Sequence, residues 1–135
     1  MALIEVLLDT SGYSAFCRGH AGVGDAVHRA DLVCVNPVIM GELIDGFENG
    51  GRREKNFREL RTFLSSPRVD VVDIDVETSR RYAAILGGLR KAGTAIPTND
   101  LWIAASAMQH GLRVVTTDSH FLRVQQIMVD HFRPE

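Results

Sequence analysis

The sequence predicts one α/β domain, residues 1–135, built on a mostly parallel sheet of four to five strands with helices on both faces. Three observations carry this. Strand-like and helix-like segments alternate along the chain, the pattern of βα units. The strand-like segments are nearly continuous apolar runs rather than alternating ones, as expected where a sheet is covered on both sides. The chain has 135 residues, 45% hydrophobic and 24% charged, which is the length and mix of a single globular domain with a sizeable core.

The elements follow in order. "LIEVLLD" (3–9) reads as the first strand, closed by the turn-prone "TSG". Residues 14–30 carry weak helical patterning, broken by Gly19, Gly22 and Gly24. "LVCVN" (32–36) is the second strand. A helix spans 37–51, opened by Pro37 and closed by Gly50 and Gly51. Another spans 53–64, with Phe57, Leu60, Phe63 and Leu64 along one side. "VDVVDI" (69–74) is the third strand, and Asp75 caps a helix reaching about Lys91. After a loop at 92–98, a helix spans 99–111 with Asn99 as its cap and Gly111 as its stop. "LRVVTT" (112–117) is the fourth strand, and "QIMVDHF" (126–132) a short fifth.

Composition excludes several classes. The net charge of −2 announces no polyanionic partner, although "GRREKNFRELR" (51–61) holds a local basic excess that suits either phosphate or a solvated helix face. No stretch approaches the ~20 apolar residues of a membrane span. The opening "MALIEVLLDTSG" lacks the basic leader of a secretory signal, so a cytoplasmic protein is expected. Cys17 and Cys34 have no metal-ligand spacing and are expected to be free and buried. His20, His28, His110 and His131 share no metal-binding spacing either.

The chemistry is expected at the sheet's carboxyl edge, where ligands of parallel sheets bind. Asp9 ends the first strand and Asp118 ends the fourth. Asp100 opens a helix in which Ile103, Ala104 and Ala107 follow at three, four and seven positions, so it belongs to the buried face. Glu42 flanks the stripe of Ile39, Met40, Leu43, Ile44 and Phe47. Each acid also has an ordinary use. Asp9 can begin a turn, Asp100 can complement a helix dipole, Asp118 can make an Asx-turn, and Glu42 can face solvent. If they meet, their repulsion demands a cation or protons. Oxygen ligands without a nearby Cys or His point to Mg²⁺ or Mn²⁺ rather than zinc.

"LLDTS" (7–11), "GELIDG" (41–46), "NDLWIAASA" (99–107) and "GLRVVTTDSHF" (111–121) make the reading more specific. In order and spacing the chain resembles PIN-domain ribonucleases, and among them the VapC-type toxins of toxin–antitoxin pairs. The resemblance implies a PIN-like three-layer α/β/α sandwich. It implies an endoribonuclease that hydrolyses RNA phosphodiesters with a water activated by Mg²⁺ or Mn²⁺. The acidic quartet maps onto Asp9, Glu42, Asp100 and Asp118, with Asp9, Asp100 and Asp118 as direct metal ligands and Glu42 ligating through water. Thr10, Ser11, Thr116 and Thr117 stand near the quartet as groups that orient an acid or a metal water. Where many members carry a further acid just before the phenylalanine of the last motif, this chain has His120. That change either weakens a second metal position or places an imidazole near the substrate phosphate. Arg18, Arg52 and Arg53 are the basic candidates for holding the RNA backbone. The expected partners are a second copy of the chain and a VapB-type antitoxin.

Two other readings compete. A catalytically silent PIN-like module would bind RNA or antitoxin without cutting, although all the expected acids are present. A different Mg²⁺-dependent phosphoryl-transfer protein would need either an Asp at position 11, where Ser11 stands, or a lysine after a late strand, and the lysines are Lys55 and Lys91. No GxxxxGK[ST] phosphate loop occurs.

Overall fold

A computed structural model describes residues 2–135; the expected domain's first residue, Met1, lies outside the described residues. Five strands form one sheet: β1 (Glu5–Leu8), β2 (Leu32–Val35), β3 (Val69–Val71), β4 (Arg113–Thr116) and β5 (Val129–His131). Their spatial order is β3-β2-β1-β4-β5 and every pairing is parallel. Leu7 and Leu8, Val114 and Val115 are consecutive residues and therefore point to opposite faces, yet all are fully buried. Both faces of the sheet are thus covered, which explains the unbroken apolar runs. Each such side chain contributes about 1.5–3 kcal/mol by burial. The edge strands are short and carry Asp70 and Asp130, which discourages pairing with another sheet.

The helices are α1 (Thr10–Cys17), α2 (Ala21–Arg29), α3 (Pro37–Glu48), α4 (Arg53–Leu64), α5 (Val76–Ala92) and α6 (Thr98–His110). The weak pattern over 14–30 resolves into two helices on either side of Gly19, and "TSG", expected as a turn, is instead the first turn of α1, because Asp9 caps a helix there. Gly19 takes a positive φ of 82°, and the ring of His20 accepts from the Val23 amide to start α2. Gly111 ends α6 at φ 64°, as expected of a glycine stop. Asn99 does not cap α6. That helix begins at Thr98 behind Pro97, which leaves the Asn99 amide for another task. The third and fifth strands are shorter than their apolar patterns suggest, and residues Ser119–Arg123 form a 3₁₀ turn anchored by the fully buried Phe121. Cys34 is buried as expected, whereas Cys17 is exposed at the end of α1. Trp102 stacks on Tyr82 at a centroid distance of 4.4 Å, where α5 packs on α6.

The strand order has one consequence for function. From β1 the chain winds to β2 and β3 on one side, then crosses to β4 and β5 on the other. The reversal lies between β1 and β4, the kind of point at which parallel sheets form a ligand crevice beyond the carboxyl ends of their strands. Leu8 pairs with Val115, so Asp9 emerges beside Thr116 at the mouth of that crevice.

Candidate active site

Four elements deliver acids to this crevice. Asp9 is the N-cap of α1 and only 3% exposed. Its Oδ1 accepts from the Gly12 amide at 2.7 Å. Its Oδ2 accepts from the Thr116 hydroxyl at 2.8 Å, and the Ser11 hydroxyl lies 3.0 and 3.1 Å from the two oxygens. Each hydroxyl has one proton, and the carboxylate takes both. The hydroxyl oxygens remain free to accept. The Thr117 amide donates to Ser11 Oγ at 3.0 Å, and the Asp118 amide donates to Thr116 Oγ1 at 2.9 Å. Two relays therefore tie the loop after β4 to the carboxylate after β1. Thr117, one of the expected orienting residues, acts here through its backbone.

Burial pushes the Asp9 carboxyl up to about 6, and the charge of Asp118 adds to the rise. The Gly12 amide and the Thr116 and Ser11 hydroxyls pull the other way without overcoming it. Gly12 is a residue that spacing did not single out. A Cβ there would stand 2.4 Å from the Val115 carbonyl oxygen and 3.0 Å from Asp9 Oδ1, so only glycine lets α1 approach β4 this closely.

Asp100 is buried in the first turn of α6. A helix that feeds a parallel strand starts at the carboxyl edge, and this is how an acid far along the chain arrives here. Burial raises its carboxyl, the contact with His120 opposes the rise, and the charges of Asp118 and Glu42 reinforce it. Asp118 caps the 3₁₀ turn and accepts from the His120 amide at 2.9 Å. Glu42, in the second turn of α3, accepts from the Thr10 hydroxyl and, at 3.1 Å, from the Asn99 side-chain amide. It thereby links the starts of α1 and α6. Asn99 is the second residue whose part the sequence did not reveal.

The expectation that no histidine stands near the acids needs correction. His120 Nδ1 lies 3.1 Å from Asp100 Oδ2 and 3.0 Å from Asp118 Oδ1. One ligand atom each from Asp100, Asp118 and His120 falls within 4.8 Å of the others, a spacing that suits a divalent ion. Asp9 and Glu42 stand outside that tight group. The 3₁₀ turn explains the imidazole: it curls residue 120 back over residue 118, which linear spacing does not show.

The basic candidates are spread more widely. Arg18 is exposed at the far end of α1, about 14 Å of helix rise from Asp9. Arg52 is exposed at the start of α4. The guanidinium of Arg53 is taken up by Glu48 at 2.9 and 3.0 Å and lies 4.9 Å over the Phe57 ring.

Parallel strands with acids converging at their switch point, and no phosphate-cradling loop, define an acid-centred α/β domain. The PIN domain family matches residues 6–127, and the chain belongs to that family. Ribonuclease VapC4 of Mycobacterium tuberculosis is 33% identical over 95 residues, covering 70% of this chain and 73% of the relative. The tRNA(fMet)-specific endonuclease VapC of Salmonella typhimurium is 30% identical over 99 residues, covering 73% and 74%. In solved structures, DNA-bound VapBC from Salmonella typhimurium contains a chain that superposes with a TM-score of 0.81 at 25% identity, covering 96% of this chain and 98% of that one. No helix among the described residues is long and apolar enough to cross a membrane.

Proposed function

We propose that the protein is a cytoplasmic, divalent-metal-dependent endoribonuclease toxin that cleaves RNA phosphodiesters by hydrolysis. The observation that carries this reading is the convergence of Asp9, Asp100 and Asp118 at the β1–β4 switch point, with Glu42 bracing the starts of two helices. Desolvated acids held this close are costly unless a cation balances them. The donor set suits such an ion. Asp100 and Asp118 would hold Mg²⁺ or Mn²⁺ directly, Asp9 would complete the ligation from the β1 side, and Glu42 would reach it through water. When bound, the ion would supply charge for the phosphate's developing negative oxygens and would let a water give up a proton and so become a nucleophile near neutral pH. The Ser11 and Thr116 relays fix the Asp9 oxygens, so little reorganisation is needed when substrate arrives. Exposed Arg18 and Arg52 are the residues proposed to hold the RNA backbone.

The partners are proposed on the same footing. The structures this chain resembles include VapBC assemblies, and we assign this chain a VapB-type antitoxin and a homodimeric state. A cavity of about 580 Å³ lined by Tyr13, Phe16, Val27, Phe63 and Val69 offers apolar surface well suited to a partner helix.

The test is cleavage of a panel of structured RNAs, initiator transfer RNA among them, with Mg²⁺, with Mn²⁺ and with EDTA. Sequencing of the new ends locates the cut. Metal-dependent cleavage at a defined position, lost in Asp118→Asn, is expected. Equal cleavage in EDTA, or in the Asn variant, would overturn the reading.

A further inference from the structure

The imidazole between Asp100 and Asp118 lies close enough to both acids to be more than a bystander. We infer that His120 is a metal ligand that turns an all-oxygen centre into a mixed nitrogen–oxygen one, and so biases the site toward Mn²⁺ over Mg²⁺. The inference rests on the proposed metal-dependent reading and specifies the ion that reading left open.

The geometry argues for it in three ways. Nδ1 faces both carboxylates at 3.0 and 3.1 Å, while the two acids and this nitrogen fit within one 4.8 Å group. An ion seated between Asp100 and Asp118 therefore meets Nδ1 without any rearrangement of the backbone. The backbone that carries the ring is also held in place: the His120 amide is bonded to Asp118 and the next residue, Phe121, is fully buried, which fixes where the imidazole starts from. In the tautomer protonated at Nε2, Nδ1 presents a lone pair to the ion. Finally, donor chemistry sets the preference. Mg²⁺ favours oxygen and gives up its waters reluctantly, whereas first-row transition ions accept imidazole readily.

The experiment uses the full chain, loaded with Mn²⁺ in a buffer free of nitrogen ligands. Electron spin-echo modulation of bound Mn²⁺ reports directly coordinated ¹⁴N. Calorimetric titration with Mn²⁺ and Mg²⁺ at one fixed pH gives the ratio of affinities for wild type, His120→Asp, His120→Ala and Asp118→Asn. Wild type is expected to show imidazole ¹⁴N modulation, replaced by the ¹⁵N pattern when histidine is ¹⁵N-labelled. The modulation is expected to vanish in both His120 variants. His120→Asp should lower the Mn²⁺:Mg²⁺ affinity ratio on the order of tenfold. Should Mn²⁺ bind, with loss of binding in Asp118→Asn, but without ¹⁴N modulation and with an unchanged ratio in His120→Asp, the inference is overturned while the metal centre stands. Should wild type fail to bind Mn²⁺, or bind no better than Asp118→Asn, the proposed function falls and this inference falls with it. The spectrum of wild type alone decides the point if a variant misfolds.

Discussion

Asp9 and Asp75 do the same local job in two different places. Each is the N-cap of a helix, and each accepts from the backbone amide three residues on, Gly12 in one case and Thr78 in the other. Asp75 is exposed. Its cap is reciprocated by the Thr78 hydroxyl, which accepts from the Asp75 amide at 2.9 Å, and Gln109 of α6 donates to its Oδ1 at 3.0 Å. These bonds hold the Asp75 carboxyl below its ordinary value, with the Thr78 amide the largest cause. Asp9 has a comparable set of donors, yet its carboxyl is pushed up to about 6. The difference is burial, with the neighbouring charge of Asp118 adding to it. A cap that stabilises its helix leaves a carboxylate content. A cap that is also driven into a dry crevice beside another acid leaves one in want of a cation.

The largest way to break this comparison is to neutralise each aspartate and measure cleavage. Asp9→Asn keeps an oxygen for the Gly12 amide but removes the charge. It is expected to lower RNA cleavage at least about 100-fold in a Mg²⁺ or Mn²⁺ assay, beyond the 10–100-fold typical of outer-shell changes. Cleavage within a factor of a few of wild type would mean that Asp9 is only a cap.

The second way is stability against pH. Without metal, the folded state favours the protonated Asp9 carboxyl, because its value of about 6 lies above the ordinary 3.8. Its contribution to stability is therefore present in full below about pH 4 and is lost as pH rises through about 6. The distance from 3.8 to about 6 corresponds to about 3 kcal/mol. In EDTA, Asp9→Asn should thus be more stable than wild type at pH 7 by up to about 3 kcal/mol and show little gain at pH 4, as read from urea unfolding. A gain of equal size at both pH values would contradict the electrostatic account. Thr116→Val sharpens the point on a smaller scale. It removes a fully buried hydroxyl that donates to Asp9 and accepts from the Asp118 amide, and should cost about 1–3 kcal/mol in the same unfolding experiment.

Much of the fold is legible in the sequence because it is written in local terms. The apolar runs at 3–9, 32–36 and 112–117 announce strands buried on both faces, and Gly111 announces a helix stop. The strand order is not local. Nothing in the apolar patterns says that β1 lies between β2 and β4, yet that adjacency puts Asp9 beside Thr116. The break between α1 and α2 was blurred because a glycine-rich stretch weakens the periodicity and His20 is an unusual cap. At the site, the acids could be anticipated from their places at strand and helix ends. Of the groups that orient them, Thr10, Ser11 and Thr116 stand beside the acids in the sequence and could be anticipated too, whereas Gly12 and Asn99, and the direction in which His120 turns, could not. Gly12 matters through a close approach to a strand more than a hundred positions away, Asn99 through a bond to Glu42, and His120 through a turn that reverses its direction.

The smallest expected effect completes the comparison. Asp75→Ala removes the cap of α5 and its link to Gln109, but touches none of the groups at the crevice. The Asp75 carboxyl is held below its ordinary value, so its contribution is present above the unfolded pKa and is lost as pH falls through the folded one. The variant should therefore melt at a lower temperature than wild type at pH 7, and the difference should shrink as the solution is made more acidic. This is the opposite trend to Asp9→Asn, whose advantage grows as pH rises. Metal-dependent RNA cleavage by Asp75→Ala, measured well below its melting temperature, should match wild type. If cleavage fell as it does in Asp9→Asn, capping and not the shared crevice would account for both aspartates, because loosening a remote helix start would then suffice to disable the site.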